Sequence, residues 1–450
     1  QTCGHRPRRK PFAVHPLTNS APTHTATARA VPSLAIGAFL LRVSLPLAIA
    51  YLISYGLRTV NAAIAPTLTR EFGLDAADLG LLTAAYFLSF ALTQLPLGGM
   101  LDRFRPRRVE AALLISCATG CVVFATAEAT WGLILGRALI GIGVAACLMA
   151  ALRTFGLWLD ASKLPTTNGL MLAVGNAGAI LSTAPVLWLL GMITWRQLFL
   201  SVAVLTVVVA LWLAFAVPDP PAAPKTATSG NPSAQPAGWS AVLRSPLFWA
   251  IVPLPCLTNA IGLAVQGLWA GPWLVDVAKL PANAIGGDLL LISAGMLVAN
   301  IALGNVMGRL MQRGISPVIF CFVACLFAGI GQWAFLHSWG GSPALVMTIF
   351  GLTHVSGNLL FAALFTRFGK SVHGRVSTLI NFLMFGLGFA LQWGIGLIVN
   401  RYPTGTPGRY EAAGYEQAFL WLWGLQALCV VWTLLRLRNP AVRNEGVVQP

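Results

Sequence analysis

The chain has 450 residues, of which 57% are hydrophobic and only 9% charged, with a formal net charge of +16 and a mean hydropathy of +0.75. A soluble chain of this size typically carries roughly 25% charged residues, so a water-soluble globular protein is excluded and lipid is the expected solvent. The basic excess calls for no nucleic-acid partner, because most of it falls in connectors between apolar runs, where it reports topology.

Residues 1–35 are polar, rich in Thr, Ala, Pro and Arg, without the apolar core of a secretory signal. A disordered cytoplasmic tail is expected over 1–38. About 20 apolar residues are needed to cross a bilayer as a helix. Such runs recur twelve times, over approximately 41–65, 78–101, 109–128, 131–153, 165–189, 196–217, 245–273, 286–308, 316–336, 344–366, 376–400 and 416–435. Spans 3 and 4 are separated only around Ala127 to Thr130. Backbone groups in hydrocarbon must pair within their own segment, so the spans are helices. The expected fold class is an all-α membrane protein with twelve transmembrane helices.

With a cytoplasmic N-terminus, thirteen Lys and Arg fall in cytoplasmic connectors, from Arg103 to Arg375, against five outside: Arg70, Arg196, Lys279, Arg401 and Arg409. That asymmetry places both termini inside. A Pro-, Ser-, Thr- and Gly-rich stretch near the middle has linker composition. It divides the chain into an N-terminal six-helix bundle (39–217), a cytoplasmic linker (218–243), a C-terminal six-helix bundle (244–436) and a tail (437–450). Gly98-x-x-x-Asp102-Arg103 closes span 2, and Gly304-x-x-x-Gly308-Arg309 closes span 8 at an offset of 206 residues. Two repeats around a midplane cavity, rocking against each other, is the implied architecture.

The connector Gly98-Gly-Met-Leu-Asp102-Arg103-Phe-Arg-Pro-Arg107-Arg108 resembles the loop between helices 2 and 3 of major facilitator superfamily transporters. Arg137-x-x-x-Gly141-x-Gly143 in span 4 resembles a second pattern of that superfamily. The resemblance spans residues 40 to 436. It implies secondary transport, with Gly98, Asp102, Arg103 and Arg107 gating the cytoplasmic end and Arg137 either coupling transport or supporting the N-terminal half. Span 5 (Gly169, Gly175, Asn176, Gly178, Ala184-Pro185) lacks a clean copy of the glycine-proline motif of antiporters.

Arg58 lies about eight residues before Pro66, roughly 12 Å from the end of span 1 at 1.5 Å per residue and so near the midplane. Tyr51-Leu-Ile-Ser-Tyr55-Gly-Leu-Arg58-Thr-Val-Asn61 resembles helix 1 of the organophosphate:phosphate antiporters and anion:cation symporters, which implies an arginine binding the anionic group of a substrate. A guanidinium suits this role through its planar, bidentate donors. Span 7 lacks the second arginine of organophosphate antiporters and reads Gln266-Gly-Leu-Trp269-Ala-Gly-Pro-Trp273, so a monoanion such as a carboxylate fits better than a phosphate dianion. The element Gly374-Arg375-Val-Ser377-Thr resembles sugar-phosphate and nitrate permeases, but spans 2 and 8 lack the paired interior arginines of nitrate porters.

All thirteen acidic residues fall in loops or near span ends, with Glu110, Glu128, Asp276 and Asp288 the closest to span interiors. No interior carboxylate is therefore on hand to pair with Arg58. His354, near the middle of span 10, is the candidate for proton coupling or substrate contact. Asn61, Asn176 and Trp269 complete the expected substrate site, with Gln94, Asn300 and Gln392 as further cavity polars. The eight cysteines are expected to serve as small packing residues. No metal or cofactor motif and no nucleophile–base arrangement is present, so an enzyme is not expected. The expected function is secondary active transport of a small organic anion, a carboxylate or phosphate ester, across a bacterial inner membrane. Protons or a counter-anion are the candidate coupled ions, and a monomer is the expected state. The alternatives are proton-coupled efflux of amphipathic compounds and a transporter-like sensor without net flux.

Overall fold

The computed structural model describes residues 36–159, 163–218, 242–281, 284–337, 341–355 and 373–439. The expected tails and linker lie almost entirely outside those residues, as does the second half of span 10. The described residues are helical, with one isolated β-bridge between Pro403 and Tyr410.

Among the described residues, ten helices are long and apolar enough to cross a membrane: Gly37–Thr59, Ala76–Leu101, Pro106–Ala125, Thr130–Trp158, Thr166–Leu190, Trp195–Ala216, Gly286–Gln312, Pro317–Leu336, Val376–Val399 and Ala412–Arg438. They are spans 1 to 6, 8, 9, 11 and 12. Span 7 is an interrupted helix, and of span 10 only the first half is among the described residues. Span 7 runs through Pro246–Ile251 and Pro253–Ala264, a π-helical turn at Val265–Trp269, and Ala270–Asp276. Span 10 is helical over Pro343–Thr353 and breaks at His354. Large apolar side chains such as Leu170, Val204, Ile301, Phe327 and Leu428 stand exposed on the outside, as a lipid-facing surface requires.

Polar caps set the helix starts. The Asp75 side chain accepts the Asp78 N–H at 2.7 Å, and Thr194 with Gln197 forms a reciprocal capping box. Ser245, Ser316 and Ser342 each cap a helix that opens with proline, where the missing N–H costs nothing. Span 1 continues past a break at Val60 as Asn61–Phe72 and stops at Gly73, whose φ of 64° only glycine adopts freely.

The two six-helix halves meet along three seams. Spans 2 and 11 run antiparallel in contact over their whole length. Added Cβ atoms at Gly396 and Gly80 would fall 2.4 Å from Ala76 O and 3.0 Å from Gln392 O. Farther along, the rings of Phe90 and Phe385 lie 4.1 Å apart, Asn381 Nδ2 donates to Gln94 Oε1 at 3.5 Å, and Gly98 faces Thr378 Oγ1. Spans 1 and 7 touch at Gly271, where a Cβ would fall 2.3 Å from Ala62 O. Pro66 has no N–H to give that carbonyl, so it is free of its helical donor. Spans 5 and 8 touch at Ala184 and Gly286. Small residues at these crossings let backbones approach.

At the Asp75 end, the connection between spans 11 and 12 straps the halves together. Asp276 accepts from Arg409 Nε at 2.5 Å, Tyr415 Oη at 2.6 Å and Tyr410 N at 3.3 Å. Tyr410 Oη accepts from Ala76 N at 2.6 Å and donates to Asn400 Oδ1 at 3.2 Å, while Asn400 Nδ2 reaches Asp75 Oδ2 at 3.0 Å. Burial raises the Asp276 carboxyl above its ordinary value, although hydrogen bonds from Tyr415 and Arg409 and the Arg409 charge pull it down. Nearby, partial burial raises the Glu71 carboxyl, but hydrogen bonds from Trp195 and Arg196 outweigh this and leave it below its ordinary value.

The cysteines at 117, 121, 147, 256, 321 and 325 are buried and unbridged, and Cys429 is half-buried. One acidic residue is better hidden than its place near a span end suggests. Glu110, five residues into span 3, is wholly buried with neither carboxyl oxygen hydrogen-bonded.

Candidate functional site

Span 1 breaks where its most informative side chain sits. Leu45–Thr59 ends at Val60, and the Leu57 carbonyl is met instead by Arg137 Nη1 at 2.7 Å. Arg137 is wholly buried, with its guanidinium 4.9 Å from the Tyr86 ring centroid. A buried cation on a carbonyl at a helix break holds the local backbone, and here it holds the residue before Arg58. On the other side, Gly267 of the span 7 π turn would place a Cβ 3.5 Å from Arg58 O. π turns inside helices frequently mark functional sites.

The Arg58 side chain is 6% exposed. Its guanidinium carbon lies 4.4 Å from the Tyr55 ring centroid, 5.0 Å from Phe385 and 5.6 Å from Phe90. The Tyr86 hydroxyl also faces it. Its Nε has no hydrogen-bond partner, and no carboxylate among the described residues pairs with it. Arg58 and Arg137 therefore flank Tyr86 as two buried positive charges without an acidic counter-ion.

A cavity of about 70 Å³ lies beside this pair, between the halves. Tyr55 and Asn176 line it from the N-terminal half, and Asn259, Gln266, Asn300 and His354 from the C-terminal half. Tyr55 is thus the wall between cavity and Arg58. Gln266 Nε2 donates to Ser293 Oγ at 3.1 Å, and Asn176 Nδ2 to Leu172 O at 3.1 Å. Asn259 Nδ2 is buried without a partner. His354 stacks on Phe350 at 3.7 Å. Its Nε2 is 3.3 Å from Gln332 Nε2 and its Nδ1 is 3.2 Å from Phe350 O. That pattern assigns the neutral ring with the proton on Nδ1. Gln332 also bonds Gln426, which donates to Cys325 O at 2.6 Å, so His354 is tied to spans 9 and 12.

The other expected substrate residues stand apart from this cavity. Asn61 is wholly buried one turn beyond Arg58 and donates to Thr83 Oγ1 at 2.9 Å. Trp269 donates to Gln392 O at 2.9 Å and lines a larger cavity of about 270 Å³ at the Asp75 end, with Pro66, Asp75, Pro272, Asp276 and Tyr410. Among the gating candidates, Gly98 faces span 11, Arg107 Nη1 donates to Ala214 O in span 6 at 2.7 Å, and Arg103 is exposed over the Phe104 ring. The Asp102 side chain lies outside the described ones.

Phe385, Asn259 and Gln266 were not singled out as site residues. Gln266 lies in the arginine-free stretch of span 7, and Tyr55 in the aromatic-rich stretch around Arg58. Nothing local in sequence marks Phe385, which is 327 positions from Arg58.

Against known proteins, the profile described as Major Facilitator Superfamily matches residues 47–392. The chain is similar to the probable sulfoacetate transporter of Cupriavidus necator, 22% identical over 379 residues that cover 82% of each chain. A segment of 118 residues is 34% identical to a nitrate/nitrite transporter of Picosynechococcus, covering 26% of this chain and 22% of that one. Among solved structures, an inward-facing, unoccupied bacterial homologue of the human lysosomal transporter Spinster superposes with a TM-score of 0.73 at 17% identity, over 89% of this chain and 97% of that one.

Proposed function

The chain belongs to the Major Facilitator Superfamily, a family of transporters rather than enzymes, and from that premise we propose that it carries a small organic monoanion by alternating access, with Arg58 as the binding cation. The observation that carries this reading is the charge left open in the N-terminal half: Arg58 and Arg137 are buried around Tyr86 with no carboxylate among the described residues beside them. A buried ion without a counter-ion costs several kcal/mol. An incoming carboxylate or sulfonate offsets that cost and a cation adds to it. The named substrates of the two relatives, sulfoacetate and nitrate, are both anions, the first an organic dianion and the second an inorganic monoanion.

In this reading the anionic group is held by Arg58, and the body of the substrate fills an enlarged form of the small central cavity, against Asn176, Gln266, Asn300 and His354. Asn61 and Trp269 support the site from the Asp75 side. The neutral His354 ring presents a cavity wall without added charge, and it is the residue we assign to proton coupling. Gly98, Asp102, Arg103 and Arg107 act at the Asp102 end as a gate, and Arg137 fixes the span 1 break on which Arg58 is mounted. We place that end in the cytoplasm of a bacterium, with both termini, and treat the monomer as the working unit, divided at 218–243.

The test is thermal stabilisation of the purified protein by sulfoacetate, glycerol 3-phosphate, nitrate and tetraphenylphosphonium, repeated with Arg58→Gln. A ligand bound at 100 times its Kd stabilises by about 2.7 kcal/mol. Stabilisation by one of the anions, lost in the variant, is the expected result. Stabilisation by the phosphonium cation, unchanged in the variant, overturns the anion reading.

A further inference from the structure

Arg58 meets three aromatic faces where a substrate anion is expected, and the third comes from the opposite half. Tyr55 and Phe90 belong to spans 1 and 2, whereas Phe385 belongs to span 11. Phe385 also packs on Phe90 at 4.1 Å and on Phe87 at 6.1 Å, so its ring is fixed in the seam between the halves. The ring faces carry partial negative charge, and their attraction for a cation strengthens when the contact is desolvated. Several such faces shelter a guanidinium without a carboxylate. The Phe385 face joins the other two only while spans 2 and 11 are in contact.

We infer that Tyr55, Phe90 and Phe385 form a surrogate counter-ion that lets the empty carrier close over Arg58, with Phe385 as the positioning residue that ties this shelter to the closure of the two halves. The inference rests on Arg58 being the substrate cation. With substrate bound, the anion takes over from the rings. Without it, the rings keep the closed arrangement accessible, so the carrier can return empty instead of waiting for a second anion. The Phe90–Phe385 pair lies eight residues along span 2 from Gly98 and fourteen from Ala76, so the shelter senses closure mainly at the Asp102 end.

The experiment needs no ligand. Nitroxides on Leu157→Cys and Ile315→Cys, two exposed positions at the Asp102 end of opposite halves, report the distance between the halves in lipid nanodiscs by pulsed electron resonance. In the unliganded protein, Phe385→Leu is expected to lower the closed-to-open ratio about five- to tenfold, and Phe385→Tyr, which keeps the ring, to restore it. In an Arg58→Gln background there is no charge to shelter, so Phe385→Leu is expected to change nothing. An unchanged ratio in Phe385→Leu overturns the proposal. So does an equal opening with and without Arg58, since Phe385 then acts by packing alone. Failure of the anion reading shows separately, in the thermal assay, when no anion stabilises the wild-type protein or when the phosphonium cation stabilises it and the Arg58→Gln variant alike.

Discussion

The backbone N–H of Ala76 donates to the hydroxyl of Tyr410 at 2.6 Å, so a phenol from the C-terminal half caps the first turn of span 2 in the N-terminal half. Tyr410→Phe keeps the ring but leaves a helix-terminal N–H without its acceptor and Asn400 without a donor. An unmade bond at a buried group costs about 1–3 kcal/mol. The expected outcome is a lower melting temperature, together with faster labelling of a cysteine introduced at the Asp75 end.

Asp276 anchors that strap, and its carboxyl holds a proton more tightly here than when exposed, because burial raises it. A group that binds its proton better in one arrangement favours that arrangement as pH falls. Closure of the Asp75 end is therefore expected to strengthen from the raised value down to the ordinary aspartate range, and to weaken as pH rises through that window. Asp276→Asn, which cannot titrate, is expected to flatten the dependence. Cysteine labelling rates across a pH series at this end check both statements.

At the crossing of spans 1 and 7, Gly271 has no room for a side chain, since an added Cβ would meet the Ala62 carbonyl at 2.3 Å. Backbone on both sides cannot yield as a flexible side chain does. Gly271→Val is expected to cost about 1–3 kcal/mol of stability and to hold the Asp75 end open. Greater water accessibility of Pro66→Cys, measured with a polar maleimide, is the readout.

Arg137 serves the backbone, through the Leu57 carbonyl, rather than the cavity. Arg137→Gln is expected to lower the melting temperature by removing a buried contact made by a charged donor, worth about 1.5–3 kcal/mol. It should also weaken anion binding only indirectly, by loosening Arg58. A variant with normal stability and abolished binding would instead assign Arg137 to the substrate.

The helices and their pairing into halves were legible because apolar length is a property of consecutive residues. Arg58 stood out for the same reason, as a charge in the middle of such a run. The division of span 7 was less so. Pro253 and Pro272 hint at it, but the π turn at Val265–Trp269 has no composition of its own. Rotation about a helix axis was the other hidden quantity. Glu110 sits near a span end, as its position indicates, yet the face it lies on is wholly buried. Trp269 was expected beside His354, but it points to the cavity at the Asp75 end, three residues beyond Gln266 in the same span. The aromatic shelter of Arg58 draws on span 11, a long-range contact that no local pattern reports.

If Arg58 is the substrate cation, as proposed, the charge left open there also decides which half of the transport cycle is the more electrical. A monoanion on that guanidinium cancels the Arg58 charge, so the loaded site would cross the membrane field with one positive charge fewer than the empty one. The empty carrier takes an uncompensated positive charge across whatever fraction of the field the site traverses, up to about 2.3 kcal/mol per 100 mV. On the proposed reading, voltage would then act most on the return of the empty protein and would draw the vacant site toward the negative side of the membrane.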